Sequence, residues 1–234
     1  NFPRRPEPTD ENLADLKKAV ISMDADLGIA HDGDADRTAV VDENGEHVEP
    51  DRLLALFARH ESASRVVAPL NTSMVVDEVV EVERTKVGDV YVAQRLKETG
   101  AAFGGEPSNS WIFPDSSYCP DGVLAAAKVC EMVDETKNIG ELAGELPSYE
   151  VRRGSIECSN DRKQEVMRRV FESVSQEYDD YSDLDGVRVD TGDGWFLIRP
   201  SGTEPLIRIT SEASDAETAE RLFTEAREIL EDSL

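Results

Sequence analysis

The sequence predicts an α/β protein in two parts: a mixed, mostly parallel α/β region, then a small α+β domain with an antiparallel sheet. Two observations carry this. Short apolar runs alternate with helical patterns across residues 1–145, as in α/β units built around a mostly parallel sheet. Around "GELPSYE" the rhythm changes to strand, helix, three strands and a last helix, which suggests an antiparallel module beginning near residue 149. With 39 % hydrophobic residues in 234, a core is available and wholesale disorder is excluded.

In order, "PTDENLADLKKAV" has an acidic first turn and apolar positions Leu13, Leu16, Ala19 and Val20 at helical spacing. "ADLGIA" is a short apolar strand, "TAVVD" a second one, and "ENGE" after it a tight turn. The pattern then predicts a helix at "DRLLALFARH", a buried strand at "RVVAPL", an amphipathic helix at "GDVYVAQRLKET" and a longer apolar helix at "DGVLAAAKVCEMVDE". Past the change of rhythm come strand "VRRGSIE", helix "RKQEVMRRVFESV", strands "GVRVD", "GWFLIRP" and "PLIRITSE", and helix "DAETAERLFTEAREIL". The charge-rich "YDDYSDLDG" reads as a solvated loop.

The formal net charge is −25, from 50 acidic and 25 basic residues. So acidic a surface repels nucleic acid and anionic lipid, which excludes both as partners. The acids are scattered rather than gathered in a tail, a pattern expected of a protein adapted to a high-salt cytoplasm, where screening suppresses self-repulsion. Cys119, Cys130 and Cys158 contain no C-x-x-C pair and read as reduced cytosolic thiols. No apolar stretch approaches the ~20 residues a membrane span needs, and no signal peptide opens the chain, so the expected location is cytoplasmic.

Three short stretches carry chemistry. In "DGDADR", Asp32, Asp34 and Asp36 can point inward from a tight loop if Gly33 supplies the turn. Clustered hard oxygen donors suit Mg²⁺ or Ca²⁺. An EF-hand is rejected, because its sixth position requires glycine and here holds Arg37, and because residues 38–42 read as a strand. The alternative is an acidic turn in a very acidic chain. A preceding strand and the adjacent arginine favour a metal site at a strand's carboxyl end. In "FGGEPSNS", paired glycines after a short strand would let backbone approach a ligand, and Glu106 and Ser108 could bind adjacent sugar hydroxyls; an ordinary turn is the alternative. In "RPSGTEP", Arg199 offers a fork of donors, Ser201 and Thr203 offer hydroxyls, and Gly202 lets backbone N–H groups converge, with Arg208 following on the next strand. That is the composition of an anion cradle, though a hairpin turn would use the same residues.

The chain resembles the α-D-phosphohexomutases, a family whose motifs it carries in order: D-G-D-x-D-R as "DGDADR", T-x-V-G-D as "TKVGD", G-E-x-S as "GEPS" and R-x-S-G-T-E-P as "RPSGTEP". The resemblance covers essentially the whole chain. It implies an enzyme moving phosphate between C1 and C6 of a hexose through a phosphoserine and a bisphosphate intermediate, with Mg²⁺ on Asp32, Asp34 and Asp36. It implies Arg37 beside the transferring group and Lys86 near substrate, both as catalytic residues. Glu106 and Ser108 would hold sugar hydroxyls, and Arg199, Ser201, Gly202, Thr203 and Arg208 would grip the distal phosphate. It further implies that residues 1–49 are the end of a second domain carrying the metal loop, 50–148 a third, sugar-binding domain, and 149–234 a fourth, phosphate-binding domain. The implied partners are a small-molecule sugar phosphate and the upstream domain of the same protein, with a homodimer left open.

Two departures stand out. The family's T-x-S-H-N-P-like serine loop lies well upstream of the metal aspartates and does not occur among these 234 residues; "LNTSMVV" has a serine without Asn-Pro and follows the metal loop. The chain is therefore expected to be a fragment. Where many relatives continue the sugar loop with Gly-His, Asn109 and Ser110 stand. Gly202, where many mannose-specific members carry asparagine, inclines the resemblance toward the glucosamine-phosphate branch. The missing serine leaves a non-catalytic Mg²⁺ and sugar-phosphate-binding module as one alternative. A phosphatase using a nucleophilic aspartate is another, although no downstream lysine and acidic pair accompanies "DGDADR".

The charge pattern makes a prediction. The melting midpoint should rise as potassium chloride is added from dilute buffer to molar concentration, and a midpoint highest in dilute buffer would reject salt adaptation.

Overall fold

The computed structural model describes residues 4–135 and 138–234, and no helix among them is long and apolar enough to cross a membrane. The chain divides into two compact units, Asn1–Pro147 and Ser148–Leu234.

In the first unit a 3₁₀ turn, Asp10–Leu13, runs into helix α1, Ala14–Met23. The helix stops at Asp24, whose left-handed backbone (φ 50°) lets its N–H bond back to the Ile21 and Val20 carbonyls. Strands β1 (Gly28–His31) and β2 (Thr38–Val41) pair antiparallel, Gly28 opposite Val41 and His31 opposite Thr38. They form a two-stranded sheet of their own, not part of the parallel sheet. The predicted turn follows β2: Asp42 N–H reaches the Glu46 carbonyl at 2.8 Å, and Gly45 takes φ 76°.

Helix α2 (Pro50–His60) starts on proline, where a missing N–H costs nothing, and every side chain from Leu53 to Ala58 is buried. Strand β3 (Arg65–Pro69), the short helix α3 (Met74–Asp77), strand β4 (Glu81–Thr85), helix α4 (Asp89–Thr99) and strands β5 (Phe103–Glu106) and β6 (Ser110–Ile112) complete a four-stranded sheet in the order β4-β3-β5-β6. β4 and β5 both run parallel to β3, while β6 returns antiparallel from β5. The sequence pattern missed β4 because "EVERT" is an edge strand whose charges face outward; Glu81 meets Arg65 at 2.8 Å, and Glu83 binds Arg95. Phe57 of α2 sits centrally, its ring 5.5 Å from Phe103, 5.3 Å from Trp111 and 5.5 Å from Phe113. Helices α5 (Gly122–Glu135) and α6 (Ile139–Gly144) follow, α5 capped by Asp121 Oδ1 accepting the Leu124 N–H at 2.8 Å.

The second unit is one antiparallel sheet with two helices. Its strands are β7 (Glu150–Glu157), β8 (Tyr181–Ser182), β9 (Val187–Asp190), β10 (Gly194–Pro200) and β11 (Leu206–Ala213), in the order β7-β11-β10-β9-β8. Its helices are α7 (Lys163–Glu177) and α8 (Ala216–Ser233). Val166, Val170 and Val174 of α7 and Ala219, Leu222, Ala226 and Leu230 of α8 pack with Val187, Val189, Phe196, Ile198, Ile207 and Ile209 of the sheet. "YDDYSDLDG" is not wholly a loop, because Tyr181 and Ser182 pair with Val189 and Arg188. The pairing and the Tyr181–Phe171 edge contact (5.7 Å) order a stretch that its charges make look solvated.

Replacing Phe57 by alanine leaves a cavity among three rings. The expected cost is about 3–5 kcal/mol of stability, read by denaturant unfolding; a loss below about 1 kcal/mol would contradict a shared aromatic core.

Candidate active site

The acidic stretch is the connection of the β1–β2 hairpin. One carboxylate oxygen from each of Asp32, Asp34 and Asp36 can be chosen so that all three lie within 4.8 Å of one another, a ligating arrangement of hard donors. Gly33 does not supply the turn. The left-handed residue is Ala35, φ 60°, which reverses the chain between the second and third aspartates. Alanine there costs on the order of 1 kcal/mol, so the surroundings must hold it. Burial pushes the Asp36 carboxyl above its ordinary range, helped by its hydrogen bond to Asp32 and the charges of Asp32 and Asp34, with Arg37 opposing. Arg37 folds back on the first aspartate: its N–H reaches Asp32 Oδ1 at 3.3 Å and its Nε lies 3.6 Å from Asp32 Oδ2. The donor set, three carboxylate oxygens within 4.8 Å of one another, fits a divalent metal.

Thr38, fully buried, fixes the far end of this loop. Its N–H donates to the Asn109 carbonyl at 2.9 Å, its carbonyl accepts the Trp111 Nε1–H at 3.0 Å, and its hydroxyl donates to the Gly122 carbonyl at 2.6 Å. Arg37 and Ser110 form a β-bridge beside these bonds. The acidic loop and the β5–β6 hairpin are thereby hydrogen-bonded neighbours.

That hairpin carries the predicted sugar loop. Glu106 ends β5, buried, and its Oε1 accepts the Gly88 N–H at 2.7 Å; Gly88 takes φ 135°, a backbone that favours glycine. Lys86 is exposed two residues before Gly88, its Nζ 6.0 Å above the Tyr91 ring. "TKVGD" and "GEPS" thus meet through the Gly88–Glu106 hydrogen bond at the carboxyl ends of β4 and β5, where α/β sheets gather ligands. Ser108 stands exposed in the turn.

The glycine pair has a different reason from the one expected. Gly104 and Gly105 lie inside β5, not after it. A Cβ on Gly105 would stand 2.7 Å from the Trp111 indole, and one on Gly104 2.8 Å from the Val67 carbonyl oxygen. Packing alone requires glycine at both positions. Asn109 explains the departure from Gly-His: it takes φ 68°, a conformation open to glycine and tolerated by asparagine.

In the sequence, Gly88 stands out only as part of "TKVGD" and Asn71 and Thr72 only as part of "LNTSMVV". The Asn71 Oδ1 and Thr72 Oγ1 atoms are buried without a hydrogen-bond partner just past the carboxyl end of β3. The signal was "LNTS" directly after a buried strand.

A second cluster lies within Ser148–Leu234. Arg199 on β10 and Arg208 on β11 are cross-strand partners, and Ser201, Gly202 and Thr203 lie in the hairpin connection between them. Ser201 Oγ accepts the Glu204 N–H at 3.2 Å, closing the turn. Gly202 faces open space. Arg199 lies 3.6 Å from Asp185 and Arg208 2.6 Å from Glu204, so both guanidiniums already have carboxylate neighbours. The structure adds Lys163, at the start of α7, which donates to the Ser201 carbonyl at 2.6 Å and to that of Glu204. Its sequence distance from the loop gave no hint of this.

The first unit thus ties an acidic hairpin loop to the Glu106 hairpin, and the second carries an arginine-flanked turn. Comparison with known proteins makes this specific. Residues 1–45 match the phosphoglucomutase/phosphomannomutase alpha/beta/alpha domain II, residues 49–149 its alpha/beta/alpha domain III, and residues 155–229 its C-terminal domain. The chain belongs to the phosphoglucomutase/phosphomannomutase family. It is 52 % identical over 239 residues to a Methanococcoides burtonii protein named "Probable phosphoglucosamine mutase", covering 100 % of this chain and 54 % of that one. A Methanosarcina barkeri protein of the same name is 50 % identical over 241 residues, covering 100 % and 55 %. The chain therefore spans about half the length of the curated relatives it matches. Among solved structures, a phosphoglucomutase/phosphomannomutase family protein from Burkholderia thailandensis matches with TM-score 0.84 at 28 % identity, covering 97 % of this chain and 51 % of that one. The Aspergillus fumigatus N-acetylphosphoglucosamine mutase, solved with GlcNAc-6P and magnesium, shares the fold at TM-score 0.60 and 15 % identity, covering 88 % and 48 %.

The join between α5 and the acidic loop can be tested by one methyl group. A Cβ on Gly122 would lie 2.6 Å from both the Ala35 carbonyl oxygen and Thr38 Oγ1. Gly122→Ala should cost about 1–3 kcal/mol of stability. Unchanged melting would mean that the helix does not press on the loop.

Proposed function

We propose that this chain is the metal-, sugar- and phosphate-holding part of a phosphoglucosamine mutase that interconverts hexosamine 1- and 6-phosphates through a phosphoserine. Residues 1–49 would form the end of the metal-binding domain, 50–148 the sugar domain and 149–234 the phosphate domain. The observation that carries the proposal is the coupled pair of loops: three carboxylates at ligating separation, hydrogen-bonded through Thr38 to the hairpin that bears Glu106. The names of the half-identical relatives support the choice of hexose.

Asp32, Asp34 and Asp36 would hold Mg²⁺, which when bound neutralises charge on a transferring phosphoryl group. The chain's own residues do the rest by positioning. Arg37, anchored to Asp32, would keep a guanidinium beside that group. Glu106, its orientation set by the Gly88 N–H, would accept hydrogen bonds from sugar hydroxyls, and Ser108 would add a hydroxyl from the turn. Lys86 would supply a cation at the same strand edge. Arg199, Ser201, Gly202, Thr203 and Arg208 would hold the phosphate not being transferred, the two arginines exchanging a carboxylate neighbour for a doubly charged anion. The excess of acid would suit a salty cytoplasm.

Two measurements test the proposal. Calorimetric titration with Mg²⁺ should show weak binding that Asp34→Ala abolishes, and binding unchanged in that variant places the metal elsewhere. A coupled assay with glucosamine-, glucose- and mannose-phosphates, primed with glucose bisphosphate, should give no turnover by these 234 residues, because no serine loop of the required kind occurs among them. Turnover restored by a polypeptide bearing that loop, with glucosamine phosphate preferred, supports the mutase. Sugar phosphate bound without restored turnover would leave a binding module.

A further inference from the structure

We propose that His31 is a positioning residue for the acidic loop: its Nδ1–H clasps the loop's two ends and keeps the three aspartates at ligating separation. The inference rests on the metal assignment above. His31 and Thr38 are the last cross-strand pair of the β1–β2 hairpin, so they stand at the mouth of the loop. The His31 Nδ1 atom lies 3.0 Å from the Arg37 carbonyl oxygen and 3.1 Å from Thr38 Oγ1. The placement of the proton follows from the partners. A carbonyl oxygen only accepts, so a hydrogen bond to it requires the hydrogen on Nδ1. The single hydroxyl hydrogen of Thr38 is committed to the Gly122 carbonyl at 2.6 Å, leaving its oxygen to accept from the ring as well. Both partners select the Nδ1–H form, with the proton shared between them.

The two sides of the clasp are unequal, which is why it can work. Thr38 is the fixed post, its N–H, carbonyl and hydroxyl engaged with Asn109, Trp111 and Gly122. On the β1 side, the His31 carbonyl accepts from the Arg4 guanidinium and Ala30 packs against the Leu13, Val20, Ala39 and Val41 cluster. Between them lie three aspartates whose negative charges oppose close approach, with a left-handed Ala35 that alanine adopts at a cost. A donor on the β1 side that grips the Arg37 carbonyl opposes opening of the loop directly, as hydrogen-bonded groups behind metal ligands do generally.

Two isosteres and one spectrum test it on the full chain. The amide of an asparagine reaches where Nδ1 stands, and that of a glutamine where Nε2 stands. His31→Gln should weaken Mg²⁺ binding about tenfold, while His31→Asn stays close to the parent. Equal affinities in all three, or equal losses in both variants, would overturn the clasp. Nitrogen-15 imidazole spectra of the parent at mildly alkaline pH, without metal, should show the hydrogen on Nδ1, and a proton on Nε2 defeats the proposal whatever the variants do. If Asp34→Ala leaves Mg²⁺ binding unchanged, the metal assignment fails, and the imidazole spectrum still decides the hydrogen bond.

Discussion

Thr38 is the point on which the rest of the site depends. It is buried, it sits where a two-stranded hairpin meets a four-stranded sheet, and its backbone and hydroxyl are bonded to three different elements. A two-stranded antiparallel sheet is marginal in water by itself. What holds β1 and β2 in place is the packing of Ala39 and Val41 against Leu13 and Val20 together with the bond to the Asn109 carbonyl, the indole N–H of Trp111 and the close approach of Gly122 at the start of α5. Trp111 in turn covers Gly105 and touches Phe57, so the acidic loop is tied directly to the aromatic core of the first unit. The loop that crowds three carboxylates is hydrogen-bonded at its Thr38 end to the sheet and to α5.

The elements with apolar periodicity were legible in the sequence almost residue for residue, as with β10 at Gly194–Pro200 and α4 at Asp89–Thr99. Elements whose order comes from partners were not. β4 carries charges because it is an edge, and β8 is two residues long and exists through its pairing with β9. Local backbone assignments failed for a related reason. Gly33 looked like the turn residue because glycine is permissive, but the chain reverses at Ala35, held there by neighbours that no local window contains. Gly104 and Gly105 looked like a ligand-facing pair, yet what requires them is an indole six residues further on and a carbonyl of another strand. The candidate site residues were legible as motifs; that two of the three loops are physically joined was not, since the bond between them spans Thr38 and Asn109.

Surface charge is organised less tightly. Arginines meet glutamates along helices and across strands, as in Arg152 with Glu150 and Glu220, or Arg221 with Glu225. Exposed pairs of this kind contribute on the order of 0–1 kcal/mol each. With twice as many acids as bases, pairing cannot neutralise the surface. The fold is therefore held by its hydrophobic clusters and its hydrogen-bonded seams.

The seam at Thr38 has a consequence for how such a protein can change. Because the acidic loop and the Glu106 hairpin share hydrogen bonds, free energy needed to shift one is felt at the other, and by linkage the effect is mutual. A substitution that reshapes the hairpin turn, such as one at Asn109, is then not a private matter of that turn; it perturbs the carbonyl on which Thr38 hangs. On the function proposed above, drift in sugar preference and drift in cation affinity would be coupled on this frame. A lineage exploring new substrates would have to move through sequences in which both loops change together, so its accessible steps are fewer than the number of loop residues suggests.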